Sequence, residues 1–360
     1  MKIAIIDADL IGRRRHRFPN LCCMKLGGYH KVRGDFVTLK LDYSDLDDFD
    51  KVYIAKVFTD TPIDESILKK PNVIYGGTGF FYDNAQSLPN EIEHHMPDYH
   101  LYDEWTATMP ERETKFYREY SIGYLTRGCF RHCAFCVNRR SSSVRLASPL
   151  PEFFDKSRKK ICLLDDNFFG SQHWRELLTE LQATGKRFVF KQGLDARLLD
   201  DVKAELLFVS KYDGDFYFAF DDATDSPIIE RKLQLIRRYT TKNCRFYLFT
   251  GFHRHREGDE NFWLTDIREL LDRIALLRKY DCLAYVMRYK AVADSPHRGI
   301  YNLIAGWCNQ PHLYRKISLR EFANLPSREA DLRALTAFET EYPEFGYYFD
   351  LLQNDCYLSP

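Results

Sequence analysis

Three of the ten cysteines, Cys129, Cys133 and Cys136, fall within one short run, Leu125-Thr126-Arg127-Gly128-Cys129-Phe130-Arg131-His132-Cys133-Ala134-Phe135-Cys136. Thiolates at that spacing on a tight loop can face one centre, and soft sulfur ligands select iron–sulfur clusters or zinc. A zinc site wants a fourth Cys or His. His132 lies between two of the ligands, where its side chain has to turn the wrong way, and no second Cys pair with zinc-ribbon spacing follows. Three thiolates without a fourth imply a cluster with one iron left open, which is a place for a ligand to bind and react. The other seven cysteines (Cys22, Cys23, Cys162, Cys244, Cys282, Cys308, Cys356) are scattered. Several sit in apolar runs, as Cys162 does in Ile161-Cys162-Leu163-Leu164, where a thiol behaves as a small hydrophobe.

The elements that must hold such a loop are legible in the periodicity. Strand-like runs begin near Ser121, Lys160, Phe188, Phe216, Arg245 and Cys282, each about one βα unit after the last. Helical segments fall between them at 174–183, 201–209, 228–239 and 262–279. On the last, Leu270, Leu271, Ile274 and Leu277 recur at three- and four-residue spacing, the stripe of a helix with one buried face. Six strand–loop–helix units make a complete or partial (β/α) barrel, whose chemistry sits on the loops after the strands. The cysteine run follows the first of them.

Ahead of the barrel, residues 2–7, 36–41, 52–57 and 73–75 concentrate apolar and β-branched residues. Residues 20–32 carry Leu21, Met24, Leu26 and Tyr29 in loose helical register. That strand–helix–strand order marks a parallel sheet, and Gly76-Gly77-Thr78-Gly79 is placed where a strand's carboxyl end opens onto a crevice. Residues 83–119 read as a connecting segment. After residue 290 the repeat stops, leaving a helix over 328–340 and the aromatic tail Phe345-Gly346-Tyr347-Tyr348-Phe349. The expected fold is α/β: a Rossmann-like parallel-sheet domain over 1–112, a partial (β/α)6 TIM-type barrel over 113–290 and a small helical C-terminal cap over 291–360.

Composition bounds the setting. Of 360 residues, 52 are Lys or Arg and 52 are Asp or Glu. This balance argues against a protein whose main business is coating nucleic acid or an anionic membrane, while leaving room for a local basic patch. An apolar fraction of 45% with 15% aromatics excludes disorder. Apolar runs such as Leu206 to Val209 fall far short of the ~20 residues of a membrane helix. Met1-Lys2 opens directly into Ile3-Ala4-Ile5-Ile6, so a cytoplasmic protein with reduced thiols and no targeting segment is expected.

With the cysteines and the repeat in place, residues 119–291 resemble the radical SAM superfamily. The resemblance rests on Cys-x3-Cys-x2-Cys directly after the first barrel strand, with the aromatic Phe135 just before the third Cys. It implies that Cys129, Cys133 and Cys136 hold a [4Fe-4S] cluster and that the amino and carboxylate groups of S-adenosyl-L-methionine chelate the fourth iron. One electron, from a reducing partner such as flavodoxin or ferredoxin, would then cleave the sulfonium to methionine and a 5′-deoxyadenosyl radical that abstracts hydrogen from a substrate. Such chemistry is oxygen-sensitive.

The resemblance implies further cofactor contacts on the later loops. Asp165, Asp166 and Asn167, in Leu164-Asp165-Asp166-Asn167-Phe168, are similar to the family's Asp-Asp-Asn-Phe segment at the methionine end. Gln192, Asp195 and Arg197 follow the third strand, near the cofactor carboxylate. Asp221 and Asp222 end the fourth strand, where ribose hydroxyls would donate, and Gly251 ends the fifth, where adenine could approach the backbone. Asp, Asn and Gly at such junctions also serve as helix caps and turn residues. Substituting Asp166 or Arg197 is expected to weaken cofactor binding more than cluster assembly.

The amino-terminal sheet resembles, in order and spacing more than in residues, the cobalamin-binding-like domain fused ahead of the barrel in one branch of the superfamily. The match runs through Phe18-Pro19-Asn20-Leu21, the following helix, residues 52–59 and Gly76-Gly77-Thr78. The Asp-x-His-x-x-Gly lower-ligand motif is absent, since His16, His30, His94 and His95 all lack the flanking Asp and Gly. A His ligand needs an acidic partner to orient it, so cobalamin is not expected, and the glycine crevice is expected to wall a substrate cavity. Arg13-Arg14-Arg15-His16-Arg17 and His253-Arg254-His255-Arg256 are basic loops that leave a nucleic-acid target open, while Tyr285, Arg288 and Tyr289 either face a substrate or close the barrel. The expected function is a radical SAM enzyme activating a C–H bond of an unidentified substrate, with no catalytic side chain assigned. The alternatives are a cobalamin-dependent radical SAM methyltransferase and, in another class, a non-catalytic iron–sulfur binding or sensing protein.

Overall fold

Strand β1 (Lys2–Asp7) shows how the amino-terminal sheet is built. Ile3 and Ile5 pack with Cys23, Met24 and Leu26 of the helix Leu21–Val32, while Ala4 and Ile6 pack with Leu46, Val52 and Ile54. A strand whose two alternating faces are both apolar belongs to a parallel sheet covered on both sides. In the computed structural model, which describes residues 1–14, 16, 18–252 and 261–351, β1 pairs in parallel with β2 (Phe36–Leu39) and β3 (Lys51–Ala55). Strand β3 pairs with β4 (Val73–Gly76), so the order is β2-β1-β3-β4. The Asn20 side chain starts the helix by accepting from Cys22 N and Cys23 N. At the strands' carboxyl ends the buried Asp9 carboxylate accepts from Val57 N (2.6 Å) and Thr61 Oγ1 (2.5 Å), and Gly79 N donates to Lys56 O (2.9 Å).

Asp7, at the end of β1, caps Leu10 N and accepts from the Tyr102 hydroxyl at 2.9 Å. Burial pushes its carboxyl up to about 7, against the pull of the Tyr102 hydrogen bond, with the charge of Asp9 adding to the rise. Between about pH 4 and 7 the folded chain therefore holds a proton that the unfolded chain has released. The resulting stability is full below pH 4 and is lost as pH rises through 7, by up to about 4 kcal/mol. Asp7→Asn is expected to flatten that part of the profile; urea unfolding of both proteins from pH 4 to 8 would show parallel curves if Asp7 were not responsible.

Residues 83–119 are not a featureless connection: they form the helices Asn90–Glu93, Asp103–Ala107 and Glu111–Glu119. The last begins after Pro110, with Glu111 and Glu113 in its first turn and Arg118 in its last, the charge order that a helix dipole favours. Tyr99, Tyr102 and Tyr117 from this stretch are buried against the first sheet's core.

The barrel-like repeat supplies two parallel sheets, one in each of the compact units into which the chain divides, Met1–Lys191 and Gln192–Pro360. In the first unit β5 (Tyr120–Gly123) pairs with a later strand after a short antiparallel clasp made by β6 (Thr126–Arg127) and β7 (Arg145–Leu146). That later strand is β8 (Lys160–Leu163), which in turn pairs with β9 (Arg187–Phe190). In the second unit β10 (Leu194–Asp195), β11 (Phe216–Ala219), β12 (Cys244–Thr250) and β13 (Leu283–Arg288) lie in sequence order. The helix Phe262–Lys279 buries Leu270, Leu271, Ile274 and Leu277, as their spacing predicts. The helices Arg298–Cys308, Leu319–Ala323 and Glu329–Glu341 follow, and Asn309 covers the edge of β13, accepting from Val286 N and donating to Val286 O. Among the described residues no helix is long and apolar enough to cross a membrane.

Candidate functional site

The cysteine loop spans residues 128–144 and is closed at its base by the β6–β7 clasp, which sets Thr126 opposite Leu146 and Arg127 opposite Arg145. Its first residue has to be glycine: Gly128 sits at φ +95°, and a Cβ there would lie 2.3 Å from Ser143 O. The loop is held from the segment after β8. Asp166 accepts from Gly128 N (2.8 Å) with one oxygen and from Asn138 Nδ2 (2.7 Å) with the other, so one carboxylate ties down both flanks of the three cysteines. Asp165 is buried and spends both oxygens on the approach to the loop, accepting from Leu125 N, Thr126 N and Thr126 Oγ1 at 2.6–3.2 Å. Burial pushes its carboxyl up to about 7 against those hydrogen bonds.

All three thiols are half-buried, and none is in a disulfide. Asn167 Nδ2 donates to Cys129 Sγ and Asn138 N to Cys136 Sγ, each at 3.4 Å, and Cys129 N donates to Ser141 Oγ at 3.2 Å. Such donors favour sulfur that carries negative charge, while burial pushes the Cys136 thiol up. His132 Nδ1 donates to Arg139 O at 2.9 Å, a backbone contact that keeps the ring out of the thiol set. Phe135 is half-buried, and its carbonyl accepts from Tyr82 Oη at 2.6 Å.

No three His, Cys, Asp or Glu side chains among the described residues are gathered to hold a single metal ion. A cubane cluster makes a different demand, since each thiolate binds its own iron and the sulfurs need not converge on one point. Three unoxidised thiols in one clasped loop, two of them accepting N–H donors, suit that demand. Asn167 adds a second observation: it is 2% exposed, and its Oδ1 has no hydrogen-bond partner among the described residues. A buried acceptor beside Cys129 is placed to receive a donor from a ligand.

In the second unit the expected site residues are largely engaged with one another. Arg197 forks onto Asp195 through Nε (2.7 Å) and Nη2 (3.1 Å) and onto Asp225 through Nη1 (2.6 Å). Gln192 is exposed, Asp221 accepts from Phe249 N at 3.0 Å, and Asp222 caps the following turn through Thr224 N and Oγ1. Gly251 sits at φ +78°, and a Cβ there would lie 2.2 Å from Val292 Cγ2. The packing of Val292 thus accounts for the glycine. Gly251 N also donates to Asp266, which accepts from Thr250 Oγ1 and Tyr301 Oη as well. Gly251→Ala is expected to destabilise the chain by about 1–3 kcal/mol, and Val292→Ala in the same chain should recover part of the loss. Equal unfolding midpoints for G251A and the double variant would refute the steric account.

Asn138, Ser141, Asp225 and Asp266 were not anticipated. Asn138 lies two residues beyond Cys136, where a search for amides near the thiols would have found it, whereas Asp225 and Asp266 act across long sequence separations. Arg15 and Arg17, the run His253–Arg256 and Cys356 lie outside the described residues.

The sequence matches no known family profile and no curated protein. Among solved structures the chain is similar to a cobalamin-dependent S-adenosylmethionine radical enzyme, OxsB, with aqua-cobalamin and S-adenosylmethionine bound. The identity is 10% and the TM-score 0.48, over 95% of this chain and 61% of that one. The chain therefore spans about three-fifths of that protein's length. That structure holds cobalamin, against the expectation of none, and that expectation is withdrawn. The Asp-x-His-x-x-Gly motif would supply a single protein ligand, and its absence leaves the rest of a parallel-sheet domain able to hold the group.

Proposed function

We propose that the chain is a radical SAM enzyme, with Cys129, Cys133 and Cys136 as ligands of a [4Fe-4S] cluster. The observation that carries this reading is the clasped loop itself: three unoxidised thiols directly after the first strand of a parallel sheet, pinned at both flanks by Asp166. When bound, a cluster with S-adenosyl-L-methionine on its open iron supplies one-electron cleavage of the sulfonium and a 5′-deoxyadenosyl radical for C–H activation. The chain's own residues do the positioning. Asn138 N and Asn167 Nδ2 donate to the sulfurs that would hold the cluster, and the buried Oδ1 of Asn167 would accept a donor from the bound cofactor. Asp165 holds Leu125 and Thr126 so that the loop leaves the sheet in one direction.

On this reading the domains are 1–112, 113–290 and 291–360, the protein is cytoplasmic, and Gln192, Asp195, Arg197, Asp221, Asp222 and Gly251 keep the cofactor roles that the resemblance implies. Arg197 would meet the cofactor carboxylate only by sharing hydrogen bonds with Asp195 and Asp225. The test is addition of S-adenosyl-L-methionine to the anaerobically reconstituted, reduced protein. A changed paramagnetic spectrum is expected, because an amino-carboxylate completes the open iron. An unchanged spectrum at saturating cofactor would refute the reading. Stoichiometric cobalt retained after incubation with hydroxocobalamin and desalting would put the cobalamin-dependent methyltransferase reading first.

A further inference from the structure

Tyr82 and Asp83 lie outside the cysteine motif and reach its loop from the first sheet. Beyond β4 the chain turns through Gly77 into the one-turn helix Thr78–Phe81, which ends at these two residues. The base of this segment is packed down tightly. Gly79 N donates to Lys56 O at 2.9 Å, and a Cβ at Gly77 would collide with that same oxygen. Thr78 Oγ1 donates to Val57 O at 3.0 Å, Phe80 packs on the core around Val52 and Ile54, and Phe81 stacks on Tyr75 with ring centres 5.8 Å apart. From this base Tyr82 leaves at φ +40° and ψ −109°, a backbone conformation that a residue with a Cβ seldom adopts. Strain of that kind persists only where surrounding contacts hold it, and it collects at functional positions.

The far end of the segment is held by the cysteine loop. Tyr82 Oη donates to Phe135 O at 2.6 Å, and from the same peptide group Cys136 N donates to Cys133 O at 2.9 Å. A peptide group is planar, so fixing its oxygen and its N–H together sets the direction in which Cys136 leaves it. Three residues beyond Cys136, the Asp83 carboxylate accepts from Arg139 Nε (2.5 Å) and, four beyond, from Arg140 Nε (3.1 Å), with its side chain only 8% exposed. The Arg139 guanidinium also lies 5.8 Å from the Tyr82 ring centre. We infer that Tyr82 is a positioning residue for Cys136, and that Tyr82 and Asp83 together strap the third cysteine's side of the loop to the first sheet. The inference rests on the cysteine loop holding the cluster proposed above. A hydrogen bond to the groups behind a metal ligand orients that ligand without touching the metal. Without the Tyr82 hydroxyl the Phe135–Cys136 peptide keeps only its N–H contact, and the Cys136 sulfur is free to swing away from its iron.

The test uses the full chain, anaerobically reconstituted, and compares wild type with Tyr82→Phe, which removes only the donor, and Asp83→Asn, which removes the carboxylate charge. Both variants are expected to reach the wild-type iron and sulfide content, because Asp166 still closes the loop. Iron release to the chelator bathophenanthroline should be about 2–10-fold faster in Tyr82→Phe, the range that loss of one hydrogen bond gives, and at least as fast in Asp83→Asn. The paramagnetic spectrum of the reduced Tyr82→Phe protein should differ from that of wild type. In the cluster-free chain, iodoacetamide should alkylate Cys136 faster in Tyr82→Phe while Cys129 keeps its rate, and the urea midpoint should stay at the wild-type value. A contact that merely supports the fold would lower the midpoint and speed both cysteines together, and that result would overturn the proposal. So would wild-type release, spectrum and alkylation in Tyr82→Phe. Absence of iron and sulfide from reconstituted wild type would overturn the cluster reading itself, and the selective alkylation of Cys136 would then decide the strap separately.

Discussion

Replacing Cys129, Cys133 and Cys136 together by Ala is expected to lower bound iron and sulfide from about four of each per chain to background. The remaining described cysteines are poor substitutes. Cys162, Cys244, Cys282 and Cys308 are all 1% exposed or less, and burial pushes the Cys282 thiol up to about 11 and the half-buried Cys22 thiol up to about 12. A thiol that holds its proton so strongly does not offer the thiolate that iron binds. Each single Cys→Ala variant should also lose most of the cluster, since two thiolates leave two irons open. Iron, sulfide and the paramagnetic spectrum of the reduced protein measure the effect. Full cluster content in the triple variant would remove these residues from the metal site.

Asp166→Ala is expected to have the next largest effect, and its character differs from what the motif alone suggests. The resemblance implies a residue whose loss weakens cofactor binding while sparing the cluster. The geometry makes Asp166 a brace of the cluster loop, because its two oxygens hold Gly128 N and Asn138 Nδ2 on either side of the cysteines. Each hydrogen bond to an ionised group contributes about 1.5–3 kcal/mol. Losing both should cut cluster content at least several-fold and S-adenosyl-L-methionine binding with it. Asp166→Asn keeps one acceptor and should retain an intermediate share. Arg197→Ala, whose partners are Asp195 and Asp225, should leave cluster content at the wild-type level. An Asp166→Ala protein with full iron and weakened cofactor binding would restore the motif-based role.

What was legible in the sequence is what periodicity and spacing can carry. Strand β1 and the helices Trp174–Ala183 and Phe262–Lys279 fall on the residues that their patterns mark, because one buried face repeats over enough turns to be seen. The cysteine loop stood out through ligand type. Less legible were elements too short to repeat, among them β6, β7 and β10 with two residues each. Because of β10, the division of the repeat's strands into two sheets left no mark on the sequence. The helices of residues 90–119 were hidden behind Pro, His and Glu, and their tyrosines are buried by tertiary packing. Long-range partners were invisible: nothing in the sequence sets Asp166 beside Gly128 and Asn138, or Val292 against Gly251.

The central claim is that this loop brings a reducible cluster and S-adenosyl-L-methionine together. The most direct measurement is chromatography of the products after anaerobic reconstitution, reduction and incubation with S-adenosyl-L-methionine in the absence of substrate. The account predicts slow formation of 5′-deoxyadenosine and methionine in equal amounts, abolished in the triple cysteine variant. A protein with full iron and sulfide content and a reduced cluster that forms neither product would contradict it.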